Sequence, residues 1–343
     1  MKLVRYPKAL IKGDTIGVTA PSSGVTGVFN KRIDNAIKRL ENLGFKVVET
    51  ESLRKNNKFV SADPETRAIE FMELYRNKNI NAIIPPWGGE FLMDMLPYLD
   101  IEELRNLESK WIMGFSDTST LNFVLTTNCD MATVHGPNLS DFGAEPVDPS
   151  VMEAINILMS TKGFSQVNLE SYQKSWGNVQ KDPFVPYQLT ERVEWKSLWK
   201  ADEEIKFSGR LIGGCLDVIC KLIGTPYDKV TDYITKYKDD KIVWYFESCE
   251  MNAGDIYRTV WQIKMNGWFD NCSGVLIGRP AGEVDMGDFD FKDALKSSLE
   301  SLSIPVIYDV DIGHLPPQIT IINGAFGTVE YENGAGKIHQ VLR

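Results

Sequence analysis

Apolar positions in the first part of the chain alternate between short β-rich runs and stretches with helical spacing. Thr15–Pro21 (TIGVTAP) predicts a strand that ends in the turn-prone P-S-S-G. Ile33, Ile37, Leu40 and Leu43 then recur at helical spacing up to Gly44, a pattern that predicts an amphipathic helix with a glycine stop. Strands are expected at Lys46–Thr50, Asn81–Pro86, Trp111–Ser116 and Met131–His135, and helices at Pro64–Asn79, Glu90–Leu99 and Thr118–Thr127. Strands alternating with helices imply βαβ crossovers and a mainly parallel sheet. The periodicity fades over 166–206, which holds Trp176, Trp195 and Trp199 among many charges. A long stretch of this kind is usually functional or a linker. The pattern resumes with Arg210–Gly224, where a glycine pair feeds a helix, and continues with strand Lys241–Ser248 and helix Ala253–Asn266. Further strands are expected at Gly274–Gly278, Val306–Val310 and Thr328–Tyr331.

A chain of 343 residues exceeds what one hydrophobic core usually organises. Two domains are therefore expected, at 1–165 and 207–343, with 166–206 as a linker and substrate-facing loop. Composition is that of an ordinary globular protein, 43% hydrophobic and 24% charged. The net charge of −10 disfavours binding to nucleic-acid polymers. The five cysteines form no CxxC, and with three histidines and no HExxH there is little from which to build a metal site. The basic N-terminus lacks an apolar signal core, and no stretch approaches membrane-spanning length. The expectation is a cytoplasmic protein without a membrane partner.

Candidate chemistry centres on W-I-M-G-F-S-D-T-S-T-L. A serine at a sharp strand-to-helix turn presents its hydroxyl, and the next N–H, that of Asp117, can face a developing oxyanion. Ser116 or Asp117 as a plain helix cap fits the same spacing. The turn P-P-W-G-G-E at 85–90 likewise brings backbone N–H groups close to a ligand, and on its own is equally a tight βα turn. A nucleophilic serine needs a base and an orienting carboxylate. His314, in the stiff loop G-H-L-P-P, ranks before His135, which ends a strand; His339 reads as a surface strand residue. Glu247 ends the apolar strand K-I-V-W-Y-F-E, at the sheet edge where α/β folds bind ligands. Asp311 and Glu250 are weaker candidates for the acid.

In their order along the chain these blocks resemble the LD-carboxypeptidase family of serine peptidases, which includes the microcin C self-immunity peptidases. The likeness runs from G-D-T-I-G-V-T-A-P-S-S, through W-G-G-E-F-L, G-F-S-D-T-S, H-G-P, G-R-L-I-G-G-C-L and F-E-S, to G-H-L-P-P-Q-I-T. The resemblance implies a flavodoxin-like (Rossmann-like) N-terminal domain carrying the nucleophile and a β-rich C-terminal α/β domain of swivelling type. It implies a Ser116–His314–Glu247 triad, an oxyanion hole at Gly89 and Asp117 beside Gly88, no metal or cofactor, and a homodimer. The Trp-rich segment fits the immunity branch, which stacks a nucleobase on tryptophan. Trp176 and Trp195 are the candidate shelves, with Trp87, Gly88 and Cys215 as further substrate-binding positions. Cys215 stands where that branch has asparagine, Ser248 where many members have aspartate, and I-I-N-G-A replaces T-L-P-x-G. The expected substrate is a small peptidyl- or aminoacyl-nucleotide, the alternative a murein tetrapeptide. An α/β-hydrolase esterase and a non-catalytic two-domain binding protein are the competing readings.

Overall fold

The computed structural model describes residues 3–160, 162–200, 204–282 and 284–343. Positions 1, 2, 161, 201–203 and 283, which fall inside the expected segments, lie outside the described residues. In the first part, β1 (Thr15–Val18), β2 (Lys46–Glu49), β3 (Ile80–Ile83) and β4 (Trp111–Ile112) form a parallel sheet in the order β2-β1-β3-β4. Helices α1 (Phe29–Asn42), α2 (Pro64–Arg76), α3 (Ile101–Asn106) and α4 (Thr118–Cys129) connect and follow the strands. Local signals explain their ends. Helix α1 buries Ile33, Ala36 and Leu40 along one stripe, while α2 begins with Pro64 behind Asp63, whose carboxylate accepts the Thr66 N–H at 2.9 Å. The expected helix at Glu90–Leu99 is instead a 3-10 segment, Leu92–Tyr98. Pro97 lies inside it and lacks the N–H that an α-helical turn would use.

After β5 (Thr133–His135) and α5 (Pro149–Leu158) comes the segment expected to lack structure. It carries short strands instead: β6 (Phe164–Val167), β7 (Ser171–Tyr172), β8 (Glu191–Arg192) and β9 (Lys196–Ser197). Strands β6 and β9 are the two edges of an eight-stranded sheet. Two-residue pairings leave no readable period, which is why the pattern was silent here. The centre of that sheet is parallel, built from β10 (Ile205–Cys215), β11 (Ile242–Glu247), β12 (Cys272–Gly278) and β13 (Val306–Val310). Strands β15 (Phe326–Glu332) and β16 (Ala335–Val341) extend it antiparallel, giving the order β6-β16-β15-β10-β11-β12-β13-β9. The glycine pair of R-L-I-G-G-C lies within β10, and the helix after it, α6 (Leu216–Ile219), is a single turn. Helices α7 (Val230–Lys236), α8 (Ala253–Met265) and α9 (Phe291–Leu299) complete the second part.

The two sheets share a core. Strand β14 (Ile321–Asn323) pairs antiparallel with β5, and Phe123 of α4 stacks on Trp268 with ring centroids 5.2 Å apart. The Ser119 hydroxyl of α4 accepts the Cys215 N–H at 3.2 Å. The residues of the first sheet's C-terminal edge are thereby fixed against the ends of β10 and β11.

Candidate active site

Strand β4 is apolar and buried, and its direction continues past Ile112 through a bridge between Met113 and Val134. The chain then turns abruptly. Ser116 sits at φ +63°, in the left-handed region that a non-glycine residue enters only when its surroundings hold it there. The Ser119 N–H closes on the Ser116 carbonyl at 2.8 Å to start α4. Ser116 is half-buried between buried neighbours. Asp117 does not cap the helix with its side chain. Its carboxylate accepts the Ser22 hydroxyl at 2.6 Å and the Leu92 N–H at 2.8 Å, tying three loops together, and burial pushes its pKa up to about 6.

Against this turn lies Gly88. A Cβ there would stand 2.6 Å from both Cβ and Oγ of Ser116 and 2.9 Å from the Asp117 nitrogen, so only glycine permits the approach. The turn is held by Ser23, whose N–H reaches the Gly88 carbonyl at 3.3 Å. Among the described residues, neither the Gly89 nor the Asp117 N–H is given to a protein acceptor.

Glu247, the last residue of β11, is fully buried, and its Oε2 lies 2.7 Å from His314 Nδ1. Gly313, at φ +103°, makes room for this contact, since a Cβ there would fall 2.5 Å from Oε2. Burial alone would discharge both groups. Their mutual attraction outweighs it, holding the Glu247 carboxyl below its usual range and, with Cys249 adding to the effect, raising the His314 imidazole well above its own. The ring packs edge-on against Phe115, centroids 5.0 Å apart.

The loop bearing His314 is anchored by Asp311. The Asp311 carboxylate pairs with Arg279 and accepts the Trp195 indole N–H at 2.8 Å and the Leu169 N–H at 3.0 Å; its carbonyl accepts the Ile319 N–H at 2.8 Å. Asp311, considered from the sequence as an orienting acid, is thus a buried anchor. Trp195 is correspondingly 0% exposed and is no shelf for a ligand, which corrects its expected role. The structure seals it under β16, where a Cβ on Gly336 would collide with its ring.

Ser116 and His314 open on one pocket of about 240 Å³, walled further by Gly88, Trp87, Phe29 and Trp176. Trp176 is half-exposed at its rim, and Trp87 meets Phe29 edge to face at 5.0 Å. Cys215, expected to bind substrate, is instead buried outside the lining of this pocket, its Sγ 3.4 Å from Asp217 Oδ2. Glu250 gives its N–H to the other Asp217 oxygen at 3.0 Å, and the carboxylate bonded to His314 Nδ1 is that of Glu247. His135 is completely buried on β5, edge-on to Phe115 and to Tyr245, and burial lowers its pKa to about 4. His339 lies on β16 with Nδ1 2.9 Å from the Ser165 hydroxyl. The sequence reading missed Ser22, which braces Asp117, and the far wall formed by Arg32, Asp141 and Tyr187, where the Tyr187 hydroxyl donates to Asp141 at 3.1 Å. The turn-prone P-S-S-G beside the first strand was a usable signal for Ser22; the far wall had none.

Residues 16–136 match the LD-carboxypeptidase N-terminal domain and residues 208–329 the LD-carboxypeptidase C-terminal domain. Among curated relatives, a Vibrio cholerae protein named "Putative carboxypeptidase" is 28% identical, covering 97% of each chain. A Bacillus subtilis protein named "Probable murein peptide carboxypeptidase" is 26% identical over 93% of this chain and 89% of its own. The Escherichia coli microcin C7 self-immunity protein MccF is 26% identical over 94% and 92%. The fold is also that of MccF in complex with glutamyl sulfamoyl guanosine, with a TM-score of 0.83 at 23% identity over 98% of both chains. The two matched domains cover well over half of the sequence in the family's order, and the chain belongs to the LD-carboxypeptidase family.

Proposed function

We propose that this chain is a serine carboxypeptidase that works through Ser116, His314 and Glu247. The observation that carries the reading is the buried His314–Glu247 pair at 2.7 Å, placed on the same pocket into which the strained Ser116 turn opens. His314 takes the Ser116 proton as Oγ attacks the substrate carbonyl, and Glu247 holds the imidazole in the required tautomer and stabilises the imidazolium. The uncommitted Gly89 and Asp117 N–H groups receive the oxyanion. Collapse of the tetrahedral intermediate breaks the C–N bond, with the His314 proton leaving on the departing amine. Water, deprotonated by His314, then cleaves the acyl-enzyme ester. On this reading residues 1–165 supply the nucleophile, 207–343 the acid and base, and 166–206 the rim of the pocket.

The substrate class best supported is a small peptidyl- or aminoacyl-nucleotide. Trp176, Trp87 and Phe29 give the pocket an aromatic wall on which a base can stack, and MccF has been captured with an aminoacyl-sulfamoyl nucleoside. A murein peptide is the second reading, favoured by the Bacillus subtilis relative. Incubating both substrate classes with wild type and Ser116→Ala, and following products by mass spectrometry, separates them. Wild type is expected to release the nucleotide moiety, and Ser116→Ala to lose about four or more orders of magnitude in turnover. Near-full activity in Ser116→Ala would overturn the assignment; cleavage of murein tetrapeptide alone would move the substrate to the second class. We assign the protein to the cytoplasm and to a homodimer, the latter measurable by light scattering.

A further inference from the structure

Glu247 and His314 have a buried neighbour, Cys215, that serine hydrolysis does not use. One ligand atom each from Cys215, Glu247 and His314 lies within 4.8 Å of the others, and all three residues are buried. A second observation points the same way: Glu247 Oε1 is buried and has no hydrogen-bond partner among the described residues. We propose that these three side chains form a latent site for a thiophilic divalent cation, zinc being the best fit, and that its occupation switches the hydrolase off.

The donor set is one sulfur, one imidazole nitrogen and one carboxylate oxygen, a combination suited to zinc and unsuited to magnesium or calcium. Ligand atoms around tetrahedral zinc stand roughly 3.3–3.7 Å apart, given bond lengths of about 2.0–2.3 Å, so the cluster closes on the ion by movements of about 1 Å or less. Charge also balances, because a Cys215 thiolate and the Glu247 carboxylate together neutralise a dication inside the protein. Binding forms Zn–S, Zn–N and Zn–O bonds and releases the Cys215 thiol proton to solvent, together with the extra ring proton when His314 is charged. Three protein ligands leave the fourth position to a water from the pocket, which His314 lines.

The consequence for activity rests on the reading of His314 as general base. Nδ1, 2.7 Å from Glu247, is the nitrogen nearest the carboxylate. Once it is metallated, the remaining ring proton resides on Nε2, the nitrogen that must accept the Ser116 proton. The base is then lost without any change to Ser116.

The test uses chelator-treated full-length protein titrated with Co²⁺ as a spectroscopic probe and Zn²⁺ as competitor. Wild type is expected to show a thiolate-to-cobalt charge-transfer band saturating at one ion per chain and displaced by zinc. The band is expected to vanish in Cys215→Ser and Cys215→Ala and to persist in Cys249→Ser, whose thiol also lies close to His314. Circular dichroism checks that each variant is folded. In parallel, labelling of Ser116 by a small fluorophosphonate is expected to be suppressed by zinc in wild type, with at least about ten-fold more zinc needed in Cys215→Ser. Absence of the cobalt–thiolate band in wild type, or its survival in both Cys215 variants, overturns the site. If metal-free wild type is not labelled at Ser116, the triad reading fails instead, and the cobalt band still decides the cation site.

Discussion

At the scale of single residues, backbone strain and burial distinguish residues that open on the pocket from residues sealed away from it. Ser116 at φ +63° and the half-exposed Trp176 face the pocket, whereas Trp195 and Asp311 are fully buried outside its lining. The two tryptophans should therefore respond differently to truncation. Trp176→Ala is expected to weaken nucleotide binding by about 1–3 kcal/mol, by analogy with base stacking on aromatics, and to leave unfolding unchanged. Trp195→Ala is expected to cost about 3–5 kcal/mol of stability, as a large core truncation does; calorimetry for binding and denaturant melts for stability distinguish them. The pH profile offers a second check. Because Glu247 raises the His314 pKa, the base form is lost as pH falls through that raised value. In metal-free protein, kcat/KM should thus decline on acidification along a limb above about 6.5, the ordinary imidazole value. Glu247→Gln should move that limb to lower pH while reducing the maximum. A limb that stayed in place in Glu247→Gln would remove Glu247 from the pair.

Among the elements, those with several turns or a full apolar run were legible, as were the short apolar β4 and β5, whereas the strands of 166–206 were not. The amphipathic stripe of α1 and the buried run of β11 carry their period in the sequence, so they and the strand-end Glu247 could be placed in advance. Ser116 and His314 were legible for a different reason: each sits in a loop punctuated by glycine or proline next to a strand. The 166–206 segment was illegible because β7, β8 and β9 are two residues long, and β9 gains stability from distant Tyr308 and Ile307, which pair with Lys196 and Ser197. Trp195 looked like a shelf because sequence does not reveal which side of the short connection between β8 and β9 is covered. The same segment supports the His314 loop, as Trp195 and Leu169 both donate to Asp311. Asp311→Ala should accordingly lower stability by about 3–5 kcal/mol, since it strands the buried Arg279 charge. Turnover should fall with it as the His314 loop loosens. Unchanged denaturant midpoints would contradict the anchoring role.

For the whole molecule, the decisive feature is that Ser116 and His314, the proposed nucleophile and base, are presented by different sheets. The β5–β14 pairing, the aromatic stack from Phe123 to Trp268 and the Ser119–Cys215 hydrogen bond join the sheets without a gap in the core. Preorganisation of this kind lets groups nearly two hundred residues apart act as one constellation. No local pattern could have announced it, because the pairing of residues 133–135 with 321–323 is a property of the completed fold. Covalent trapping probes the proposed activation of Ser116 by His314 without any choice of substrate. Metal-free protein is treated with a fluorophosphonate, digested, and mapped by mass spectrometry. One adduct is expected, on Ser116, forming more slowly by orders of magnitude in His314→Ala; an adduct elsewhere, or equal labelling of Ser116 in that variant, would show that His314 does not activate Ser116.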